Sequence, residues 1–231
     1  MMGAALGAAG LAAAGVATLG AFHRNSAIFG SVLAHLPGDA RRVALTFDDG
    51  PNPAATPRIL DVLASRGVRA TFFLLGRHVD RWPEIARAVC DAGHQLGNHG
   101  FLHAKLHRRS PAFVRRDLER GTDAIERATG LRPRLFRAPH GFRAPWVSPI
   151  ARSLGQRTVG WSLGVRDSDR PGIEEITRRA VAGTRAGTIL LLHDGDGYDP
   201  AGDRTQTAAA VGPIVDALRA QGYTFASLPE S

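Results

Sequence analysis

The sequence predicts an α/β fold, a distorted (β/α) barrel of about seven strands preceded by an N-terminal hydrophobic segment. Three observations lead there. From Arg41 onward, short apolar runs alternate with helical segments, as successive βα units do. The polar residues best suited to chemistry come directly after those apolar runs, the end of the strand where barrel enzymes collect their catalytic groups. And the opening stretch, residues 1–22, has no charged side chain and 14 of its residues are Ala or Gly, so it stands apart from the rest of the chain.

That opening stretch is long enough for a bilayer span, although Ala and Gly make it a weakly apolar one. It lacks the basic start of a secretory signal, and the Leu19-Gly20-Ala21 region is a poor cleavage site. It is therefore expected to be an uncleaved membrane anchor or signal segment, with a buried Ala-rich helix as the competing reading. Residues 23–40 are expected to be a linker and 41–231 the catalytic domain, which places the protein at the membrane or exported to the cell envelope.

Within the domain, strands are expected at Val43–Phe47, Ala70–Leu75, His94–Gly97, Arg134–Arg137, Thr158–Trp161, Thr188–Leu192 and Tyr223–Ala226. Helices lie between them. Thr56 is expected to cap the first, with Pro57 at the first helical position and Gly67 as its stop. The next runs Pro83–Ala92 and stops at Gly93, and Ser110-Pro111 opens a long one that reaches Gly130. Val147–Leu154, Ile173–Ala182 and Thr205–Gln221 complete the set.

Composition narrows the function classes. With 231 residues and 44% hydrophobic content the chain can bury a proper core, and the lone Cys90 excludes a disulfide framework or a cysteine metal site. The net charge of +8 is unevenly spread: 13 Arg and Lys stand against 4 Asp and Glu between Gly100 and Arg157. An anionic surface as partner fits that excess, and so do arginines on solvated helix faces. Nucleic acid is not expected as a partner, because no reading motif or interleaved aromatics accompany the charge, and no protein partner is predicted.

The first strand runs into Thr46-Phe47-Asp48-Asp49-Gly50-Pro51. Two adjacent carboxylates are costly at a strand end unless a cation answers them, and a metal would let one ligate while the other acts as base; an Asp-rich turn is the plainer alternative. Extended backbone points neighbouring side chains apart, so the Gly50-Pro51 turn is expected to bring both to one site. After the third strand, His99 and His103 are four residues apart, which on a helical turn puts both imidazoles on one side. No Glu follows His99, so the zinc-protease pattern fails and the base must come from elsewhere, with Asp48 the natural candidate. His107 continues the series but is expected to face solvent beside Arg108 and Arg109. Arg137 leaves the fourth strand and is suited to pair with a buried carboxylate. His193 directly follows the apolar run Ile189–Leu192, as a core-edge histidine or a proton carrier at the barrel mouth. The Asp194–Asp199 stretch, with Asp203 beyond, lacks the glutamate of a calcium loop and is expected to be a polar loop near the site.

Together these residues resemble the polysaccharide deacetylases of carbohydrate esterase family 4, which share the NodB homology domain. The resemblance spans Arg41 to Leu228, with five motifs in order. It implies Asp48 as catalytic base, Asp49, His99 and His103 as metal ligands, and Arg137 as the group that orients the base. It implies an oxyanion donor in the backbone N–H of His140, between Pro139 and Gly141. Asp167 corresponds to the fourth motif's aspartate, and Leu191 with His193 to the fifth, whose histidine is the general acid. Three positions depart from the pattern: Gly100 replaces the usual Ser or Thr, His140 the usual aromatic, and Ser168 the Trp that walls the sugar groove, a place that Trp161 or Trp146 would have to fill.

The implied activity is metal-dependent hydrolysis of N-acetyl or O-acetyl groups on a carbohydrate such as an N-acetylglucosamine polymer or peptidoglycan. Zinc suits a two-imidazole, one-carboxylate site best, and Co2+, Ni2+ or Mn2+ also fit those ligands. An oxyanion donor of this kind is worth about 3–4 kcal/mol in such reactions. The alternatives are a deformylase or amidase of a lipid-linked amino sugar, or an inactive carbohydrate-binding relative.

Overall fold

Alternation along one strand decides the layout. In β1 (Arg42–Asp48), Val43, Leu45 and Phe47 join the large core beneath the helices, while Ala44 packs into a separate cluster on the opposite face. Thr46 and Asp48 share the face of Ala44, by the period of two that a pleated strand imposes. This is the concave face of the sheet.

The protein is described here by a computed structural model that covers residue 15 and residues 18–230. On one side of β1 come β2 (Thr71–Leu74), β3 (Gln95–Asn98), β4 (Leu135–Phe136) and β5 (Arg157–Thr158). On the other come β7 (Thr188–His193) and then β6 (Leu163–Gly164), and all the pairings are parallel. Seven strands thus curl into a half-barrel, with β8 (Thr224–Phe225) paired to the start of β1. The helices pack outside: α1 (Thr56–Ser65), α2 (Gly76–Arg81), α3 (Pro83–Asp91), α4 (Pro111–Thr129), α5 (Val147–Ser153), α6 (Ile173–Gly183) and α7 (Thr205–Ala220). Their apolar stripes meet the outer face of the sheet through Ile59, Leu63, Ile125, Ile176 and Ile214, all fully buried.

Register carries the fold into function. β1 and β7 align so that Asp48 lies beside His193, and β2 places Phe73 on the other flank of Asp48. Strands of different length elsewhere therefore matter little, because the C-terminal ends of β1 and β7 are fixed to one another.

Several expectations need correction. β6 and α2 have two and six residues, too short for any periodicity to reveal. Trp161 lies beyond β5 instead of inside it. Thr56 does not cap α1; its hydroxyl donates to Asp194 Oδ2 at 2.6 Å, and Asn52 Oδ1 accepts the N–H groups of Ala54 and Ala55 in its place. Ser110 does cap α4, accepting from Phe113 N–H. His107 is half-buried and packs edge-on against Phe22 and Phe142 instead of facing solvent.

Most of the apolar opening segment lies outside the described residues, and among those described no helix is long and apolar enough to cross a membrane. Residues 33–36 of the expected linker are bonded to the sheet. Leu33 N–H donates to Thr158 O and its carbonyl accepts from Gly160 N–H, while Leu36 N–H donates to Gly187 O. They bridge from Val159, just past the end of β5, to Thr188 at the start of β7.

Helices α2 and α4 approach closely at Gly76 and Gly121: a Cβ on Gly76 would sit 2.8 Å from Gly121 Cα. A Cβ on Gly121 would meet Asn98 Oδ1 at 2.5 Å and the Gly100 carbonyl at 2.9 Å. Gly-to-Ala inside a helix ordinarily stabilises by about 1 kcal/mol. Here Gly121→Ala is expected to destabilise instead, by about 1–3 kcal/mol, because backbone must move. Urea denaturation followed by circular dichroism measures the sign.

Candidate active site

The C-terminal ends of the strands open into a cavity of about 570 Å³. Asp48, Asp49, His99, His103, His140, Trp161, Leu191 and His193 all line it, so residues drawn from five separate stretches of sequence converge there. Asp48 leaves β1 buried, and its Oδ1 accepts from Arg137 Nη1 at 2.7 Å. The same nitrogen donates to Thr46 Oγ1, and Nη2 donates to Gly160 O. Thr46 in turn donates to Leu190 O on β7. The guanidinium stacks 4.1 Å from the centroid of Phe73 and is completely buried, which lowers its pKa against the opposing pull of Asp48.

Asp49 follows Asp48 with φ = 75°, in the left-handed region. That turn of the backbone, one residue earlier than the Gly50-Pro51 step expected to do it, lets adjacent carboxylates reach the same cavity. His78, fully buried on α2, bonds through Nδ1 to the Asp49 carbonyl at 2.7 Å.

His99 and His103 are not on a helical turn. Gly100 at φ = 79° and His103 at φ = 55° fold the connection into an irregular loop, yet the result is a convergent pair. Both Nε2 atoms approach Asp49 Oδ1, at 3.4 Å from His99 and 3.2 Å from His103. His99 Nδ1 is bonded to Arg137 O at 2.8 Å, which aims Nε2 into the cavity. One potential ligand atom from each of Asp49, His99 and His103 lies within 4.8 Å of the others, and all three residues are buried. Asp49 Oδ1 has no hydrogen-bond partner. A buried, unbonded carboxylate oxygen facing two imidazole nitrogens fits a divalent cation of the borderline class.

The electrostatics suit a bound cation. Burial alone would raise Asp49, but the neighbouring His103 and His99 imidazoles hold its pKa well below the usual carboxylate range. Burial drives His103 down to about 3, helped by the neighbouring histidines. Burial also opposes charge on His99, but Asp48 and Asp49 overcome it and raise the pKa.

Opposite this triad stands His193. Asp167 Oδ1 contacts its Nδ1 at 2.9 Å, and Asp167 Oδ2 accepts both the His193 backbone N–H and the Thr207 hydroxyl. Burial disfavours the imidazolium, but Asp167 outweighs it, and the pKa rises to about 9. Asp167 itself is lowered, its burial overcome by His193.

Pro139, His140 and Gly141 form one short turn after β4, with His140 at φ = 59°. Gly141 needs its missing side chain: a Cβ there would meet Arg24 and Trp161 at 2.8 Å. Trp161 lines the cavity, whereas Trp146 lies on another face, with Pro111 and Pro149. Sequence reading missed Arg24, Arg166, Asp196, Tyr198 and Arg204 on the cavity wall, and Asp194 behind it. The Asp194–Asp203 stretch drew notice only as a polar loop. It supplies Tyr198, which donates or accepts at His140 Nε2 and stands edge-on to His103. It also supplies Asp194, whose burial raises its pKa to about 7.

The raised His193 pKa has a sign. Against an ordinary value of 6.5, the ion pair contributes stability that is fully present below that pH and is lost as pH rises through about 9. In metal-free protein, Asp167→Asn should lower the His193 pKa by roughly 1–3 units, read from long-range imidazole 15N–1H spectra; an unmoved titration would refute the pairing.

Residues 35–159 match the family model described as polysaccharide deacetylase. The chain is 39% identical over 199 residues to the chitooligosaccharide deacetylase of Bradyrhizobium sp. (strain ANU 289), covering 82% of this chain and 90% of that one. It is 37% identical over 203 residues to the peptidoglycan-N-acetylglucosamine deacetylase of Bacillus cereus, covering 87% and 92%. Among solved structures, a carbohydrate esterase family 4 pseudoenzyme from Bacillus anthracis superposes with a TM-score of 0.79 at 27% identity, covering 86% of this chain and 67% of that one.

Proposed function

We propose that this chain, which belongs to the polysaccharide deacetylase family, removes N-acetyl groups from an N-acetylglucosamine-containing glycan and acts at the cell envelope, where such polymers are found. One observation carries the reading: the adjacent ends of β1 and β7 hold an arginine-bound carboxylate and an aspartate-bound imidazole beside the Asp49, His99 and His103 triad, in one cavity. An inactive binding relative has no need of both groups. The pseudoenzyme that shares the fold is a reminder that fold alone does not decide activity.

The chemistry to be done is demanding, because an amide is a poor electrophile with a poor leaving group. Asp49, His99 and His103 would hold the metal, zinc being our first choice, and when bound it supplies Lewis-acid polarisation and a water of lowered pKa. Asp48 has one oxygen fixed by Arg137 and takes the proton of the water as its oxygen bonds to the acyl carbon. The backbone N–H of His140 donates to the developing oxyanion, a contribution of about 3–4 kcal/mol for such donors. His193, cationic through neutral pH because of Asp167, gives its proton to the sugar nitrogen as the C–N bond breaks. Acetic acid and the amine leave, the acid's proton passing to the amine to give acetate and an ammonium group, and His193 is restored by the proton that Asp48 received. Leu191 and Trp161 form apolar wall beside the reacting group.

Acetate release from chitooligosaccharide and from peptidoglycan fragments, with chelator and metal add-back, tests the activity; no release from either by metal-loaded protein would overturn it. Asp48→Asn should keep the metal, measured by equilibrium dialysis, and lose turnover by about 10²–10⁴-fold, whereas His99→Ala should lose both. Thermal unfolding of each variant checks that the fold survives. Full turnover in Asp48→Asn would remove Asp48 from the role of base.

A further inference from the structure

Two polar side chains that line no part of the cavity reach its metal ligands from outside. Arg77 and His78 stand in the first turn of α2, and neither is among the motif residues that carried the family resemblance. His78 is fully buried, a costly place for an imidazole unless its nitrogens are used. Nδ1 lies 2.7 Å from the Asp49 carbonyl, and because a carbonyl can only accept, Nδ1 carries the proton. Nε2 is buried without a partner, so the bond to Asp49 is the one hydrogen bond of the ring among the described residues. It falls where the main chain is strained: Asp49 is at φ = 75°, a conformation that persists where the surroundings impose it.

Arg77 works on a second ligand. Its Nη2 donates to the Gly197 carbonyl, while its Nε is buried without a partner. Gly197 lies against the His103 ring, where a Cβ would overlap Nδ1. That packing matters because the two ligand imidazoles are not held alike. His99 Nδ1 is bonded to the Arg137 carbonyl, the usual way a metal-binding imidazole is aimed, whereas His103 Nδ1 is buried with no partner. What fixes the His103 ring is therefore what packs on it, Gly197 together with His140 and Tyr198. The main chain repeats the pattern. The first N–H groups of a helix have no partner within it, and α2 has no side-chain cap. Gly76 N–H donates to Gly100 O at 2.9 Å and Arg77 N–H to Phe101 O at 3.3 Å, both between His99 and His103. Leu75 N–H donates at 2.9 Å to Gly50 O, directly after Asp49.

We propose that His78 and Arg77 are positioning residues for the metal triad, His78 by fixing the main chain of Asp49 and Arg77 by fixing the His103 ring through Gly197. They set how tightly the cation is held without touching it. The inference rests on the deacetylase reading, which makes Asp49, His99 and His103 the ligands, and it deepens that reading by naming what holds two of them in place. Without the His78 donor the buried Asp49 carbonyl has to seek another partner, the peptide after Asp49 turns, and the carboxylate moves away from the imidazoles. Without Arg77 the loop at Gly197 is released and the His103 ring loses its backing.

The test measures binding of Zn2+ and of Co2+ to the metal-free full chain and its variants, by competition with a chromogenic chelator well below each unfolding midpoint. His78→Leu fills the space of the ring and removes the donor, and should weaken binding by about 10–100-fold. His78→Asn carries an amide N–H as many bonds from Cα as Nδ1 is, and should restore most of that affinity. Arg77→Met should weaken binding by about tenfold, and Arg77→Lys should recover part of it. A purely structural role predicts otherwise: the variants unfold at lower temperature, yet the folded chains bind metal as before. Unchanged affinity in His78→Leu or in Arg77→Met would remove that residue from the role, and an equal loss in His78→Leu and His78→Asn would refute the hydrogen bond as its cause. Should His78→Leu fail to fold, Arg77→Met against Arg77→Lys decides the proposal. Failure of the unaltered chain to bind either cation overturns the ligand triad and the positioning role together. Acetate release decides the other reading separately: a chain whose metal affinity follows these residues yet releases no acetate when loaded keeps the positioning role and loses the deacetylase assignment.

Discussion

A guanidinium with no access to water sits at the centre of the half-barrel, and the neighbouring elements are arranged to satisfy it. Arg137 reaches from the end of β4 to bind Asp48 and Thr46 on β1 and the Gly160 carbonyl beyond β5. Phe73 on β2 covers its face. Its own carbonyl fixes the ring of His99 from β3. One residue therefore ties four strand ends to the reacting centre. An ion pair placed this deep is weak evidence for stability, because desolvation offsets most of the attraction, but removing one partner leaves a buried charge at a cost of about 3–5 kcal/mol. What the pair secures is geometry. Asp48 keeps one oxygen engaged and one directed to the cavity.

The backbone makes a similar concession at the same place. Asp49, His103 and His140 all adopt positive φ, a conformation that costs a non-glycine residue of order 1–3 kcal/mol at a strained site. All three line the cavity. The left-handed turn at Asp49 lets consecutive carboxylates share one site, and the one at His103 brings its imidazole back toward Asp49. Surrounding bonds hold these conformations in place. His78 bonds the Asp49 carbonyl, and Gly197 lies so close to the His103 ring that a side chain there would overlap it. The fold's regular strands thus support a rim that is locally irregular wherever chemistry is placed.

Legibility follows from how local each signal is. The strand ends bearing Asp48, His99, Arg137 and His193 were readable because apolar runs lead directly into polar residues, and their order along the chain carried the family resemblance. The spacing of His99 and His103 pointed to the right pair for the wrong reason, since four residues can converge through a loop with two positive-φ positions as well as on a helix. β6 is set by its pairing with β7 and α2 by packing against α4, neither of which a short window shows. Thr56 was misread as a cap because its partner, Asp194, lies 138 residues away. Arg24 and Tyr198 reach the cavity from distant segments, and nothing adjacent to them in sequence marks the destination.

The N-terminal stretch has a practical meaning for anyone who handles the protein. Residues 24–25 are bonded to Trp161, and Ala21 and Ser26 accept from Arg143, so the chain runs along the mouth of the cavity before residues 33–36 reach Val159 and Thr188. The other end is elsewhere: Leu228 and Glu230 are bonded to Gln95, at the start of β3. Residues 21–26 thus lie beside the cavity mouth, whereas residues 228–230 lie at the start of β3, away from it. A purification tag, a tether to a surface or a fused binding module is therefore not equivalent at the two ends. A group attached near residues 21–26 crowds the cavity mouth, and one attached near residue 230 leaves it clear.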